Sequence, residues 1–328
     1  MDDGDLTALS LFRDSTAEAF FKNTSPEQYE DAYAVELEHL NTPDIVNILL
    51  AQDTSAHYSV EVDMILLFNS NLELGMLVTF HPAIFLPIFD RAAQKAQTNI
   101  MDHHPLRMDM IVKPFFHVRL RSVPGIREYS CDTIPRAKDV GKLLAVAGTV
   151  IRTGIPKTVE SERIYECQKC KRHFRVSADI AQYNAAPPPS YCLAETTEDE
   201  EKCYGSKFNL IGLEAGEQPI NCIDYQEIKI QEQVNKLGIG SIPRSMVVVL
   251  TNDLVDQAKS GDDVTITGIV SSRWRPLLAN DRCDIEIFLL ANHVRVHNDH
   301  HAGISITDET HKEFEEYWKT YQANPFEG

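Results

Sequence analysis

Four of the chain's seven cysteines, Cys167, Cys170, Cys192 and Cys203, fall in one stretch, YECQKCKRHFRVSADIAQYNAAPPPSYCLAETTEDEEKC. Cys167 and Cys170 form a C-x-x-C knuckle; Cys192 follows after 21 intervening residues and Cys203 after another 10. Such a knuckle lets two thiolates meet one ion through a tight turn, and a second pair can complete a tetrahedron. Zinc suits four thiolates at about 2.3 Å with no open position, so the expected ion is a structural Zn2+ rather than a catalytic one. His173, three residues past Cys170, competes as a ligand, because the acidic run ETTEDEE (Glu195 to Glu201) lengthens the second pair's spacing. Buried thiols or a redox C-x-x-C are the other readings, although redox chemistry needs no second pair and usually sits at a helix start. The deaminase pattern H-x-E followed by P-C-x-x-C is not met: the only H-x-E is His311 to Glu313, with no cysteine after it. Cys131, Cys222 and Cys283 read as small packed residues. No catalytic residue is expected.

The composition fits a globular chain, 43% hydrophobic and 24% charged. The amino terminus, MDDGDLTALS, lacks the basic and apolar regions of a secretory signal. The most apolar run, Met76 to Phe89, is broken by His81, Pro82 and Pro87 and is too short to span a bilayer, so no membrane is expected as a partner. An intracellular chain keeps its thiols reduced, which favours metal over disulfides. A net charge of −18 argues against nucleic acid, but Pro105 to Arg175 carries 15 Lys and Arg against 7 Asp and Glu. That basic middle is either an electrostatic footprint for phosphate or a chance cluster of solvated side chains.

The elements that must position these residues follow from periodicity. Residues 1–25 read as a flexible acidic segment and 26–112 as a helical subdomain, with Thr42 capping a helix that has Pro43 in its first turn. Phe85, Phe89 and Ala92–Ala93 recur at helical spacing and read as core. From Lys113 the period becomes two: HVRLRSV alternates Val118 and Leu120 with Arg119 and Arg121, and LLAVAGTVIRTG, KTVESERIYEC, CIDYQEIKIQEQV, MVVVLTND, DDVTITGIVSSRW and CDIEIFLLANHVRVH follow. Five main strands with a long insertion after the second fit an OB-like barrel over 113–298, with the finger inserted at 165–205. The fold class expected is α+β in several parts. Beyond NDHHAG, Phe314, Tyr317, Trp318 and Tyr321 give a short helix one aromatic face, which reads as a chain cut before its next domain.

The strings IKIQE, GSIPRSM, NDLVD and SGDDVTITGIV, with VGKLLAVAGTVIRT before the finger, resemble the amino-terminal domain of the minichromosome maintenance (MCM) family of helicases. Within it, YQEIKIQEQ, GSIPRSM and KSGDD are most like the paralogue numbered nine. The block from Val140 to Asn298 is the specific part; ETTEDEE and the first 25 residues depart from that paralogue. The resemblance implies a helical part, an OB fold with a zinc finger that helps pack neighbours, and six copies in a ring around single- or double-stranded DNA. It also implies the eighth paralogue as hetero-hexamer partner, a role in homologous recombination and repair, and a nuclear location. ATP and Mg2+ would belong to an ATPase domain, whose P-loop string G-x-x-x-x-G-K-[ST] is absent from residues 1–328, so no hydrolysis is expected of this chain; 299–328 would be a linker and the start of that domain. The other functional reading is a stand-alone zinc-OB protein that binds single-stranded DNA or serves as a scaffold.

Three basic places then stand out for DNA. Arg152 and Lys157 flank the turn before the finger, near the family's strand-binding arginines. RWRPLLANDR, with Arg273, Arg275 and Arg282 around Trp274, matches a hairpin projecting into the ring channel. Lys229 and Arg244 flank QEQVNKLGIGSIPRSM, a loop that in the family relays DNA contact to the motor. Each can equally be a solvated surface charge, and Trp274 reads slightly better as a rim packing residue than as a stacking partner.

Overall fold

The computed structural model describes residues 25–124, 130–131, 134–194, 203–211, 222–233, 240, 242–274, 284–297 and 318. The acidic insertion, Arg275, Arg282, Cys283 and the carboxy-terminal aromatic face apart from Trp318 lie outside them. Residues up to Val296 form one compact unit and those from His297 another.

The helical part opens with α1, Pro26–Leu50, whose proline sits where a missing N–H costs nothing. Tyr29, Tyr33, Leu37, Ile45 and Leu49 bury one side of it. Pro43 cannot donate inside the helix, and the strain is released at Asn41, which leaves helical geometry at φ −126°. Thr42 therefore does not serve as the expected cap. Asn41 breaks the helix, donating to Glu61 O at 2.9 Å, while the Thr42 hydroxyl turns back to the Glu38 carbonyl. Next come β1 (Tyr58–Asp63), α2 (Met64–Ser70), α3 (Leu72–Phe80) and α4 (Pro82–His103). The Asp63 and Asn71 side chains cap α2 and α3 by accepting from the N–H groups of Ile65 and Leu74. Tyr33 stacks on Phe89 at 4.4 Å, joining α1 to α4.

The alternating HVRLR forms β2 (Phe116–Arg121), and its partner is β1, in parallel register. β2 thus belongs with the helices. The alternation is also broken: Arg119 is buried as well as Val118 and Leu120. Its guanidinium reaches Asp253 and, at 3.1 Å, the Asn292 carbonyl, both in the second part. The Asn292 side chain in turn accepts from Leu120 N at 2.7 Å and donates to Val118 O at 2.9 Å, so β2 is held from both directions.

The second part is built from β3 (Ser130–Cys131), β4 (Leu143–Thr153), β5 (Lys157–Glu160), β9 (Cys222–Gln231), β10 (Ser245–Thr251), β11 (Asp263–Trp274) and β12 (Ile285–Val296). Five of them pair in a cycle, β4 with β11, β11 with β12, β12 with β10, β10 with β9, and β9 back to β4. Only the β10–β12 pairing in that cycle is parallel. Leu144, Val146, Ile228, Val248, Ile266 and Leu289 face the shared core. Because β2 stands outside the cycle, the finger interrupts after its first strand, not its second. The finger carries its own sheet, β7-β6-β8, of β6 (Glu162–Cys167), β7 (His173–Ser177) and β8 (Phe208–Leu210).

Candidate metal centre and nucleic-acid surface

β6 runs straight into the first thiolate pair. Its last residue is Cys167, and the chain reverses through Lys171, which takes a left-handed φ of 60° and donates its N–H to the Cys167 carbonyl at 2.8 Å. This turn brings Cys170 back beside Cys167. All four cysteine Sγ atoms lie within 4.8 Å of one another, with Cys167 to Cys203 at 3.8 Å and Cys170 to Cys192 at 3.7 Å. Four sulfurs around one zinc at about 2.3 Å have tetrahedral edges near 3.8 Å, so the donor set fits that ion. His173 stands on β7 opposite Glu166, is exposed, and is not among the grouped ligands. Backbone N–H groups of Cys170 and Lys169 hold the Cys167 thiol down to about 7, while burial pushes Cys192 up to about 11. Metal loading must therefore release protons from this cluster.

The surrounding support is small. Tyr165 and Phe174 stack at 6.0 Å, Phe208 meets Phe174 edge-on at 5.1 Å, and the Tyr165 hydroxyl donates to Ala186 O at 2.9 Å. Gly205 is a residue that sequence reading passed over. A Cβ there would lie 2.7 Å from Cys167 Sγ and 3.5 Å from Cys203 Sγ, so only glycine lets the last ligand segment close on the cluster.

Where the finger meets the sheet, a cleft of about 760 Å³ opens. Arg152, Lys157, Val159 and Glu227 line it from the sheet side, and Arg163, Tyr183 and Asn184 from the finger. Gly154 makes the approach possible, since a Cβ there would meet the Glu227 carbonyl at 2.7 Å. The sheet regroups the basic residues. Lys229, grouped in sequence with Arg244, lies directly across from Arg152 on the paired strands β4 and β9. Arg152, Lys157 and Lys229 are all exposed. Arg244 is occupied instead, donating to Glu232 at 2.7 Å and to Ile134 O at 3.0 Å.

Arg273 sits differently from the setting expected of it. Expected on a projecting hairpin, it is 3% exposed. It donates from Nη1 to Glu227 at 2.7 Å and from Nε to Glu286 at 2.8 Å, and its guanidinium lies over the rings of Tyr183 at 4.5 Å and Phe288 at 5.2 Å. Its guanidinium is thus engaged by two carboxylates and two rings and is not open to water. Trp274 departs from expectation in the other direction: it is 57% exposed, opposite the equally open Ile285. Among the described residues, no helix is long and apolar enough to cross a membrane.

Two family models match the chain, one over the helical part and one over much of the sheet part. Residues 135–273 match the MCM OB domain, and residues 23–124 match the amino-terminal domain of MCM9. The chain belongs to the MCM family, with an OB-fold-like sheet domain behind a helical amino-terminal part. Its likeness is to the MCM9 branch. It is 35% identical over 288 residues to the probable DNA helicase MCM9 of Arabidopsis thaliana, covering 86% of this chain and 43% of that protein. Identity is also 35% over 314 residues to the probable DNA helicase MCM9 of Oryza sativa subsp. japonica, covering 92% of this chain and 45% of that protein. The minichromosome maintenance protein MCM of Saccharolobus solfataricus is 26% identical over 268 residues, 79% of this chain and 35% of its own length. The chain thus spans less than half the length of these relatives.

Proposed function

We propose that this chain is the DNA-binding and ring-assembly portion of an MCM-type DNA helicase, with the finger folded by one zinc ion on Cys167, Cys170, Cys192 and Cys203. The observation that carries the DNA reading is the placement of Arg152 directly across from Lys229, with Arg152 and Lys157 in the lining of the cleft. Like charges opposite one another on paired strands repel, and a bound phosphate backbone removes that penalty. The five-strand cycle is read as an OB barrel, a platform suited to single strands. Zinc, when bound, crosslinks the finger's segments and leaves no position for water, so its contribution is structural. Ring formation with the eighth paralogue, action in recombination and repair in the nucleus, and ATP and Mg2+ at a motor domain extend the same reading to the whole protein. The domain limits expected from sequence, 26–112, 113–298 and 165–205, are kept with one change: β2 goes to the first part.

The test is a salt titration of fluorescent oligonucleotide binding. Three phosphate contacts give a single-strand slope of about −2, and an Arg152→Ala/Lys229→Ala protein should lose about two-thirds of it. An unchanged slope in that protein places the nucleic acid elsewhere.

A further inference from the structure

The sequence makes Arg273 look like another cation offered to the ligand, yet the fold withdraws it from the surface. It lies at the junction of three things: Glu227 on the cleft wall, Glu286 across the β11–β12 pairing, and the Tyr183 ring on the finger side of the cleft. Glu227 is the difficulty for a phosphate-binding cleft. Its carboxylate stands in the lining with Lys157 and Arg152, where an unpaired negative charge would repel the ligand. Tyr225 donates its hydroxyl to the same carboxylate at 2.6 Å. Burial alone would raise the Glu227 pKa, but the hydrogen bonds from Arg273 and Tyr225, with Lys157 nearby, hold it below the usual carboxylate value. The group is therefore charged and must be neutralised. Tyr183 is the second difficulty. It and Asn184 adopt left-handed φ values of 57° and 58°, a conformation that asparagine tolerates and tyrosine seldom holds. The guanidinium face on the ring supplies a tertiary contact that fixes Tyr183 there. A lysine cannot do both, because pairing with two carboxylates while stacking on a ring needs a planar fork.

We propose that Arg273 is a positioning residue of the cleft and not a contact to the bound strand: by pairing with Glu227 and stacking on Tyr183, it sets the charge of one wall and the place of the other in a site for a nucleic-acid backbone. This rests on the reading of the cleft given above. Removing the guanidinium takes the arginine from both glutamates, but of these only Glu227 lines the cleft, so removing the Glu227 carboxylate as well should undo most of the damage to binding.

The experiment measures binding of a fluorescent oligo(dT) strand to the zinc-loaded chain across a salt series. Arg273→Met should weaken binding by about tenfold at low salt, the scale of one uncompensated charge a few ångströms away. Its salt slope should stay at the parental value, because no phosphate contact has been removed. Adding Glu227→Gln to Arg273→Met should restore most of the affinity. A direct contact predicts instead a slope shallower by about 0.7 and no recovery. A merely structural role predicts a loss that follows the melting temperature and zinc content, again without recovery. Either pattern, or an Arg273→Met protein that binds like the parent, overturns the proposal. If Arg273→Met does not fold, Glu227→Gln alone decides: it should bind about two- to threefold tighter at unchanged slope, since one negative charge has left the wall. Equal or weaker binding refutes the idea. The Arg152→Ala/Lys229→Ala protein separates the two levels. If it binds like the parent, the cleft is not the site and the functional reading itself fails; if it binds less while the Arg273 proteins do not behave as stated, only the positioning role fails.

Discussion

Asp90 offers a test of the packing of β2 on the helices of the first part. It lies on α4 beneath β2, where its Oδ1 accepts the Val118 N–H at 2.8 Å. Burial raises its pKa to about 6, opposed by the Val118 hydrogen bond and by Arg119, and assisted by Asp253. The ordinary value is 3.8. A carboxyl group whose folded pKa is raised binds its proton more tightly in the native state. Stability is then lost as pH climbs from the unfolded pKa to the folded one, between about 4 and 6, and stays lost above that. A shift of roughly two units corresponds to at most about 3 kcal/mol. Asp90→Asn keeps a carbonyl oxygen for Val118 and removes the ionisation. The Asn protein should be more stable than the parent by about 1–3 kcal/mol at pH 7.5 and by less than about 1 kcal/mol at pH 4. Urea unfolding of both proteins at pH 4, 5, 6 and 7.5 reads the difference directly, and titrations common to both cancel. A gain that is absent at pH 7.5, or as large at pH 4, would refute the assignment of a penalised charge at this position. Asp90→Ala is the control: it leaves a buried N–H without an acceptor and should cost about 1–3 kcal/mol at low pH.

Other outcomes follow from the same geometry. Cys203→Ser should lower bound zinc measured by elemental analysis, and full zinc content in that protein would remove Cys203 from the ligand set. Chelation should unfold the finger sheet, seen as loss of amide protection over 162–177 and 203–211, while the five-strand cycle stays protected. Gly205→Ala should weaken zinc binding by about 10–100-fold in a competition titration without moving the main unfolding transition, because the added Cβ collides with Cys167 Sγ. Asp253→Ala should cost about 3–5 kcal/mol in urea unfolding, since it strands the Arg119 charge where the pair's side chains are only 8% and 12% exposed. Arg119→Met/Asp253→Leu should recover most of that loss, and failure to recover would assign the cost to packing and not to charge.

Much of the molecule was legible in the residue order because the signals are local. The C-x-x-C knuckle makes its turn from residues in immediate sequence, so Cys167 and Cys170 announced themselves. The strands of the five-membered cycle were visible as alternating runs, since period two is a property of each strand by itself. What went unread was short or regrouped. β1 has six residues between helices, and its parallel partner comes more than fifty residues later. The displaced break at Asn41 depends on Glu61 receiving its side chain, a contact that no helix rule contains. Gly205 gave no sign of its importance, because the space it leaves is filled by a sulfur 38 residues away.

The charges show most clearly where the sequence stops. It determines that Arg152, Lys157, Lys229, Arg244 and Arg273 are cations, and that a basic middle lies in an acidic chain. It cannot say which of them face water. Glu227 and Glu286 lie 46 and 13 residues from Arg273, and they meet it only when β9 and β12 join β11 in one sheet system. The same pairing sets Lys229 across from Arg152, and it does so through register, which is fixed by which faces are buried. Burial and strand partnership are properties of the whole chain folded at once. They buried Arg273, tied Arg244 to the buried carboxylate of Glu232 and left Arg152, Lys157 and Lys229 exposed, because a guanidinium with a carboxylate in reach is held by it while a cation without one stays in water.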